Sequence, residues 1–206
     1  MMNSKLGLNK RAKIKTKTIR VIIILIILVS VLCLLVNNSY NKRLNIKPDN
    51  AVISKKQFIS TIAPYAEQTY RKHKIFASIT LAQAMLESNT GNSKLTRKAN
   101  NLFGIKAYKW TGKTIKMPTK EHYKGSEVVV MSTFRFYDNW DESIEDHTNF
   151  LKQNSTYEQH GVFKASNYTE QAEAIQAAGY ATDPDYGKKL IALIKKYSLD
   201  KYDNVK

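Results

Sequence analysis

Cysteine is nearly absent from this chain. Cys33 is the only one among 206 residues, which excludes a disulfide scaffold, CxxC redox chemistry and any structural zinc site built on two or more cysteines. Histidine is scarce as well. His73, His122, His147 and His160 are the full set, and no two have the spacing of a helical metal pair, so neither a metal nor a cofactor is expected. Acid is short relative to base: 17 Asp and Glu stand against 33 Lys and Arg, a net charge of +16 with pI near 9.8. Apolar residues make up 43% of the chain, which excludes disorder throughout. At roughly 100–200 residues per domain, the length fits one domain with appendages. No internal repeat is visible.

The charge is unevenly placed. Residues 1–20 carry seven cations and no acid. Residues 21–36, VIIILIILVSVLCLLV, form an apolar run with only Ser30 and Cys33 as weak polar interruptions. As a helix it spans roughly 24 Å, slightly short of a ~30 Å hydrocarbon core. Arg20 can snorkel at one end and Asn37–Asn38 can lie among headgroups at the other. No A-x-A-like cleavage site follows, and the first alanine after the run is Ala51. The run therefore reads as an uncleaved signal anchor, with secretion after cleavage as the alternative. Cys33 is then an apolar filler of the membrane helix. Cations on the N-terminal side place that end in the cytoplasm and residues 37–206 outside. The exported part keeps 26 cations against 17 acids, a net of +9. That excess favours an anionic partner such as a wall polymer or lipid headgroups, and export argues against nucleic acid. The expected organisation is a basic cytoplasmic segment 1–20, a transmembrane anchor 21–36, a linker 37–53 and a folded domain 54–206.

Within the domain, Ser54-Lys55-Lys56-Gln57 is a capping-box pattern, and apolar residues recur at helical spacing up to about Lys74. Pro64 falls inside this pattern and suggests a kink or a later start. A second helix is expected over about 77–88, ASITLAQAMLES, stopped by Asn89-Thr90-Gly91, and a short third over 93–99. Residues 114–123 and 127–137 look like two strands. Further helices are expected from Asp138 to about Leu151, at about 168–178 and at 184–197, with Asp183-Pro184 opening the last.

Glu87 closes the Ala/Leu/Met-rich second helix, on one stripe with Thr80 and Gln83. A carboxyl partly desolvated there has a raised pKa, which suits a general acid. A solvent-facing glutamate near a helix end is the plain alternative. Glu121 lies 34 residues later in the expected hairpin. Two carboxyls across a cleft fit glycoside hydrolysis, where their separation sets the stereochemistry. A charged strand residue facing water is the alternative for Glu121.

Four blocks, in order, carry a family resemblance: ASITLAQAMLESNTGNSKL, then NNLFGIKAYKWTG, then FRFYDNWDESIEDHTNFL, then GYATDPDYGKKLIALI. Together they resemble the bacterial wall-lytic glucosaminidases of glycoside hydrolase family 73, over about residues 54–200. The resemblance implies an α+β, lysozyme-like domain, mainly helical with a small β-hairpin lobe, here preceded by a single transmembrane helix. It implies cleavage of the β-1,4 bond between N-acetylglucosamine and N-acetylmuramic acid in peptidoglycan strands. It makes Glu87 the general acid and points to a second glutamate on the hairpin, placed at Glu121 with Glu127 as the nearest competitor. Glu121 would activate water, or else support attack by the substrate's own N-acetyl oxygen.

Phe103, Trp110, Tyr137, Trp140, Tyr180 and Tyr186 have two readings, groove or core. Tyr137 and Trp140 are expected in the core. Phe103, Trp110 and Tyr180 are expected to bind substrate, with Tyr180 in the GYATDP block orienting an acetamido group or stabilising charge. Asn101 is expected either to cap the short helix or to bind sugar, and is taken as a binder. Two other functions stay open: a muramidase or lytic transglycosylase on the other glycosidic bond, and a non-catalytic wall-binding module.

Overall fold

The computed structural model describes residues 52–204 apart from 124–125, and leaves aside the side chains of 120–127. The basic segment, the apolar run 21–36 and nearly all of the expected linker lie outside the described residues. Among the described residues no helix is long and apolar enough to cross a membrane.

The domain is mainly helical with one small antiparallel sheet. Helix α1 (Lys55–His73) starts on Ser54, whose side chain accepts the Gln57 backbone N–H, and ends at Lys74 in the left-handed conformation. It runs continuously from Lys55 through Pro64, so it does not start late. Pro64 is exposed, so the carbonyl it leaves without an N–H partner meets water.

Helix α2 (Ala77–Glu87) is the centre of the molecule. Every residue from Ala77 to Met85 is buried, as befits a helix packed on all sides. It packs against α1, α6 (Tyr168–Ala177), α7 (Tyr186–Tyr197) and a 3-10 turn, Leu199–Asp203. Its own N-cap, Phe76, offers no side-chain hydrogen bond. Distant residues supply the missing acceptors. Asp203 accepts from the Ser78 backbone N–H at 2.8 Å and from its hydroxyl at 2.7 Å, placing a carboxylate at a positive helix end. Buried Gln171 accepts the Phe76 N–H at 2.7 Å and donates to the carbonyls of Lys74 and Val162.

After Glu87 the chain turns at once. Asn89, Thr90 and Gly91 all have positive φ. The Ser88 hydroxyl donates to the Ala84 carbonyl and accepts the Gly91 N–H at 2.6 Å. A Cβ on Gly91 would lie 2.7 Å from the Phe58 ring and 3.2 Å from Trp140, so both φ and space demand glycine there. Helix α3 (Lys94–Ala99) follows, capped by Ser93.

Strands β1 (Thr114–Tyr123) and β2 (Ser126–Arg135) pair antiparallel. Opposed residues share a face. Ile115, Met117, Thr119 and Glu121 sit opposite Phe134, Ser132, Val130 and Val128. This face is the packed one, since Met117 is 9% and Phe134 7% exposed. Glu127 pairs with His122 on the other face, the one that bears Val129 and Met131, 67% and 66% exposed.

Helix α4 (Trp140–Gln153) begins on Asn139, which accepts the Glu142 N–H. The Glu142 carboxylate returns to the Asp138 N–H at 2.9 Å. Two short pieces that the sequence did not suggest, α5 (Ser155–Gln159) and a 3-10 turn Val162–Lys164, lead into α6. Asp183 does not open the last helix. Its carboxylate accepts the Asp185 N–H at 3.0 Å in a turn of its own, and α7 starts at Tyr186.

Candidate active site

Glu87 stands at the exposed end of an otherwise buried helix. The turn at 89–91 leads the chain away, so one side of its carboxyl stays open to solvent while protein packs around the other. That partial burial raises its pKa above the ordinary carboxylate value, and a hydrogen bond from Tyr186 opposes the rise. The Tyr186 hydroxyl donates to Glu87 Oε1 at 2.8 Å. Tyr186 is the first residue of α7, so this contact depends on α7 packing against α2. Gln83, one turn before Glu87, donates from Nε2 to the Tyr186 hydroxyl at 3.2 Å.

Tyr180 lies beside this group. Its ring stacks on Tyr186 at 5.3 Å between centroids. Its hydroxyl shares a 3.1 Å hydrogen bond with His147 Nε2. His147 is fully buried, and burial pushes its pKa down to about 3, so the imidazole is neutral at ordinary pH. The Phe103 ring stacks flat on His147, 3.8 Å away and 9° from parallel. Burial raises the pKa of Tyr180, and the nearby Glu87 carboxylate adds to the rise. Both tyrosines therefore keep their protons, and Tyr186 donates its own to Glu87.

The structure thus gathers Glu87, Tyr180 and the groove candidate Tyr186, and adds Gln83 and His147. The other expected binders stand differently. Asn101 is 1% exposed. Its amide donates to the carbonyls of Ile105 and Arg135, and its oxygen accepts from the N–H groups of Phe103 and Ile105. Every polar atom is spent on backbone, so Asn101 builds the 101–105 loop and ties it to β2 instead of reaching sugar. Phe103 is 6% exposed and supports His147 from behind, with no broad face left for a sugar ring.

Trp110 lies 4.5 Å from the Arg135 guanidinium and donates to the Lys113 carbonyl. It lines a cavity of about 400 Å³ with Tyr137, Glu142 and Asp146, whose lining includes neither Glu87 nor Tyr180. There Asp146 takes two hydrogen bonds from Arg135 and one from Tyr137 at 2.6 Å. This clamp fixes the hairpin base to α4. Tyr137 is buried, as expected, and half-buried Trp140 packs edge-on against Phe58 at 5.3 Å. Glu121 is described by its register alone, opposite Val128 and on the same face as Met117 and Phe134. Among the described residues no group of three or more His, Cys, Asp or Glu could hold a metal ion.

A carboxyl at the end of a buried helix, open on one side, its pKa raised by burial and with two tyrosines beside it, is a suitable general acid for glycoside hydrolysis. Residues 63–199 match the family model Glucosaminidase, described as mannosyl-glycoprotein endo-beta-N-acetylglucosaminidase, and the chain belongs to that family. It is 36% identical over 199 residues to the exo-glucosaminidase LytG of Bacillus subtilis, covering 95% of this chain and 70% of that protein. It is 32% identical over 145 residues to the peptidoglycan hydrolase FlgJ of Pseudomonas aeruginosa, covering 68% of this chain but 36% of that one. Among solved structures, the catalytic domain of the autolysin Auto from Listeria monocytogenes superposes with a TM-score of 0.65 at 34% identity, over 75% of this chain and 92% of that domain.

Proposed function

We propose that this chain hydrolyses peptidoglycan at the β-1,4 bond between N-acetylglucosamine and N-acetylmuramic acid, with Glu87 as the general acid. The observation that carries the reading is the Glu87 carboxyl itself: open on one side, its pKa raised by burial, and held by Tyr186 at 2.8 Å. The relatives' names support the substrate, since they include a peptidoglycan hydrolase and an autolysin.

Glu87 protonates the leaving oxygen as the glycosidic bond breaks. The oxocarbenium-like sugar is then met by water or by the substrate's acetamido oxygen. Glu121 is the second carboxylate of this reading. Its register on the face of Met117 and Phe134 supports it over Glu127, whose register is on the opposite face. The Tyr180 hydroxyl orients the acetamido group. The fold reads as lysozyme-like, with the hairpin as the smaller lobe. Residues 21–36 act as a membrane anchor, and the net +9 of residues 37–206 favours anionic wall polymers nearby.

Two measurements test this. Glu87→Gln in the full chain should abolish wall lysis while the far-ultraviolet circular dichroism stays unchanged; lysis at the original rate would overturn the assignment. Mass spectrometry of borohydride-reduced products should give reduced N-acetylglucosamine ends. Reduced or anhydro muramic ends would move the cut to the other bond, a reading that the probable N-acetylmuramidase of Lactococcus lactis, 35% identical over 160 residues, keeps in view. Product size separates endo from exo action.

A further inference from the structure

Glu87 has two carboxyl oxygens, and within the described residues only Oε1 has a hydrogen-bond partner, the Tyr186 hydroxyl. A tyrosine hydroxyl carries a single proton, so whatever surrounds its oxygen decides where that proton goes. Gln83 presents Nε2 to it at 3.2 Å. An amide N–H can only donate. The Tyr186 oxygen therefore accepts from Gln83, and its proton goes to Glu87 at 2.8 Å, with the Tyr180 hydroxyl as the other group that interacts with it. Gln83 is fully buried, and its Oε1 has no hydrogen-bond partner. An unpaired buried acceptor is costly, so the amide sits where an apolar residue of similar size would be tolerated more easily.

We propose that Gln83 and Tyr186 form a one-way hydrogen-bond chain that reserves Oε1 of Glu87 as an acceptor, so that the acid's proton resides on Oε2, the oxygen left free for the glycosidic bond. Both are positioning residues, acting through Glu87. This rests on Glu87 being the general acid. The same chain also tempers that acid. A donor to the carboxylate favours its charged form, so Tyr186 works against the upward pull of burial. The other group facing Glu87 is Tyr180, which stacks on Tyr186 and whose hydroxyl is bonded to neutral His147. Tyr157 in turn faces Tyr180 at 6.4 Å. Glu87 has no ion pair among the described residues.

The test is a set of pH–rate profiles on the full chain with purified glycan strands. Tyr186→Phe should lower kcat about tenfold with KM within about twofold. Its alkaline limb should move up by about one pH unit, because the lost donor had favoured the ionised acid. Gln83→Met should shift the limb in the same direction by less. Combined with Tyr186→Phe it should add nothing, because Gln83 acts through that hydroxyl. A purely structural role would scale the whole profile down and leave the limb in place, so an unmoved limb in both folded single variants overturns the proposal. Additive losses in the double variant overturn it as well. Glu87→Gln, run alongside, separates the two failures. If it retains activity the acid assignment falls; if it is dead while the limb stays fixed, only the chain falls.

Discussion

Asn101 shows how one side chain serves backbone. Four hydrogen bonds converge on an amide that is 1% exposed. Asn101→Ala should cost about 3 kcal/mol in urea unfolding, since buried N–H and C=O groups lose their partners. The KM of the folded fraction should not change, and a large rise in KM would return Asn101 to the substrate. At this scale the sequence was partly legible. Glu87 could be singled out because a carboxylate stands out on an Ala/Leu/Met helix, and Gln83 could be placed on its stripe by spacing alone. His147 could not be found this way. It sits on α4, 60 residues from Glu87, and only the packing of Phe103 against one side and Tyr180 against the other brings it to the site. Asn101 was misread for a related reason: its partners, Ile105 and Arg135, are set by the loop and by β2.

Elements were more legible than contacts. Capping residues, helical spacing and turn signals placed α1 to α4, α6 and α7 and both strands within a few residues, because each signal is local. The short α5 and the 3-10 turns escaped, being too brief for a periodicity to develop. The turn after α2 is the element on which the site depends most. Thr90 is β-branched with φ of 55°, an unfavourable conformation held by the Met85 carbonyl bonded to its N–H at 2.8 Å. Gly91→Ala should destabilise the fold by about 3 kcal/mol, from the φ penalty and the contact with Phe58 and Trp140 together. Thermal melts of the variant check this. Wild-type melting would mean that the two rings can move aside without cost.

The molecule as a whole carries a pH signature from His147. Its folded pKa, about 3, lies below the unfolded value of 6.5. Between those values the unfolded chain binds the extra proton, so stability is full above pH 6.5 and falls as the solution is acidified toward pH 3. The slope from one such group is at most about 1.4 kcal/mol per pH unit. The difference between the denaturant midpoints of wild type and His147→Phe should therefore stay constant above pH 6.5 and move against wild type as the pH falls from 6.5 toward 3. Parallel curves would mean that the imidazole takes up its proton alike in the folded and unfolded chain. The burial that keeps His147 neutral was not legible in the sequence, where it is one of four scattered histidines.

The capping of α2 by Asp203 sets an order in time. The carboxylate that completes the N-terminal end of the Glu87 helix lies 125 positions downstream of Ser78. A ribosome makes the acid-bearing segment early and its cap among the last residues described. While the chain is still emerging, that helix has an open end and no α7 to bring Tyr186 to the carboxyl. A wall hydrolase of this family is thus assembled into working form only once its chain has been made through Asp203.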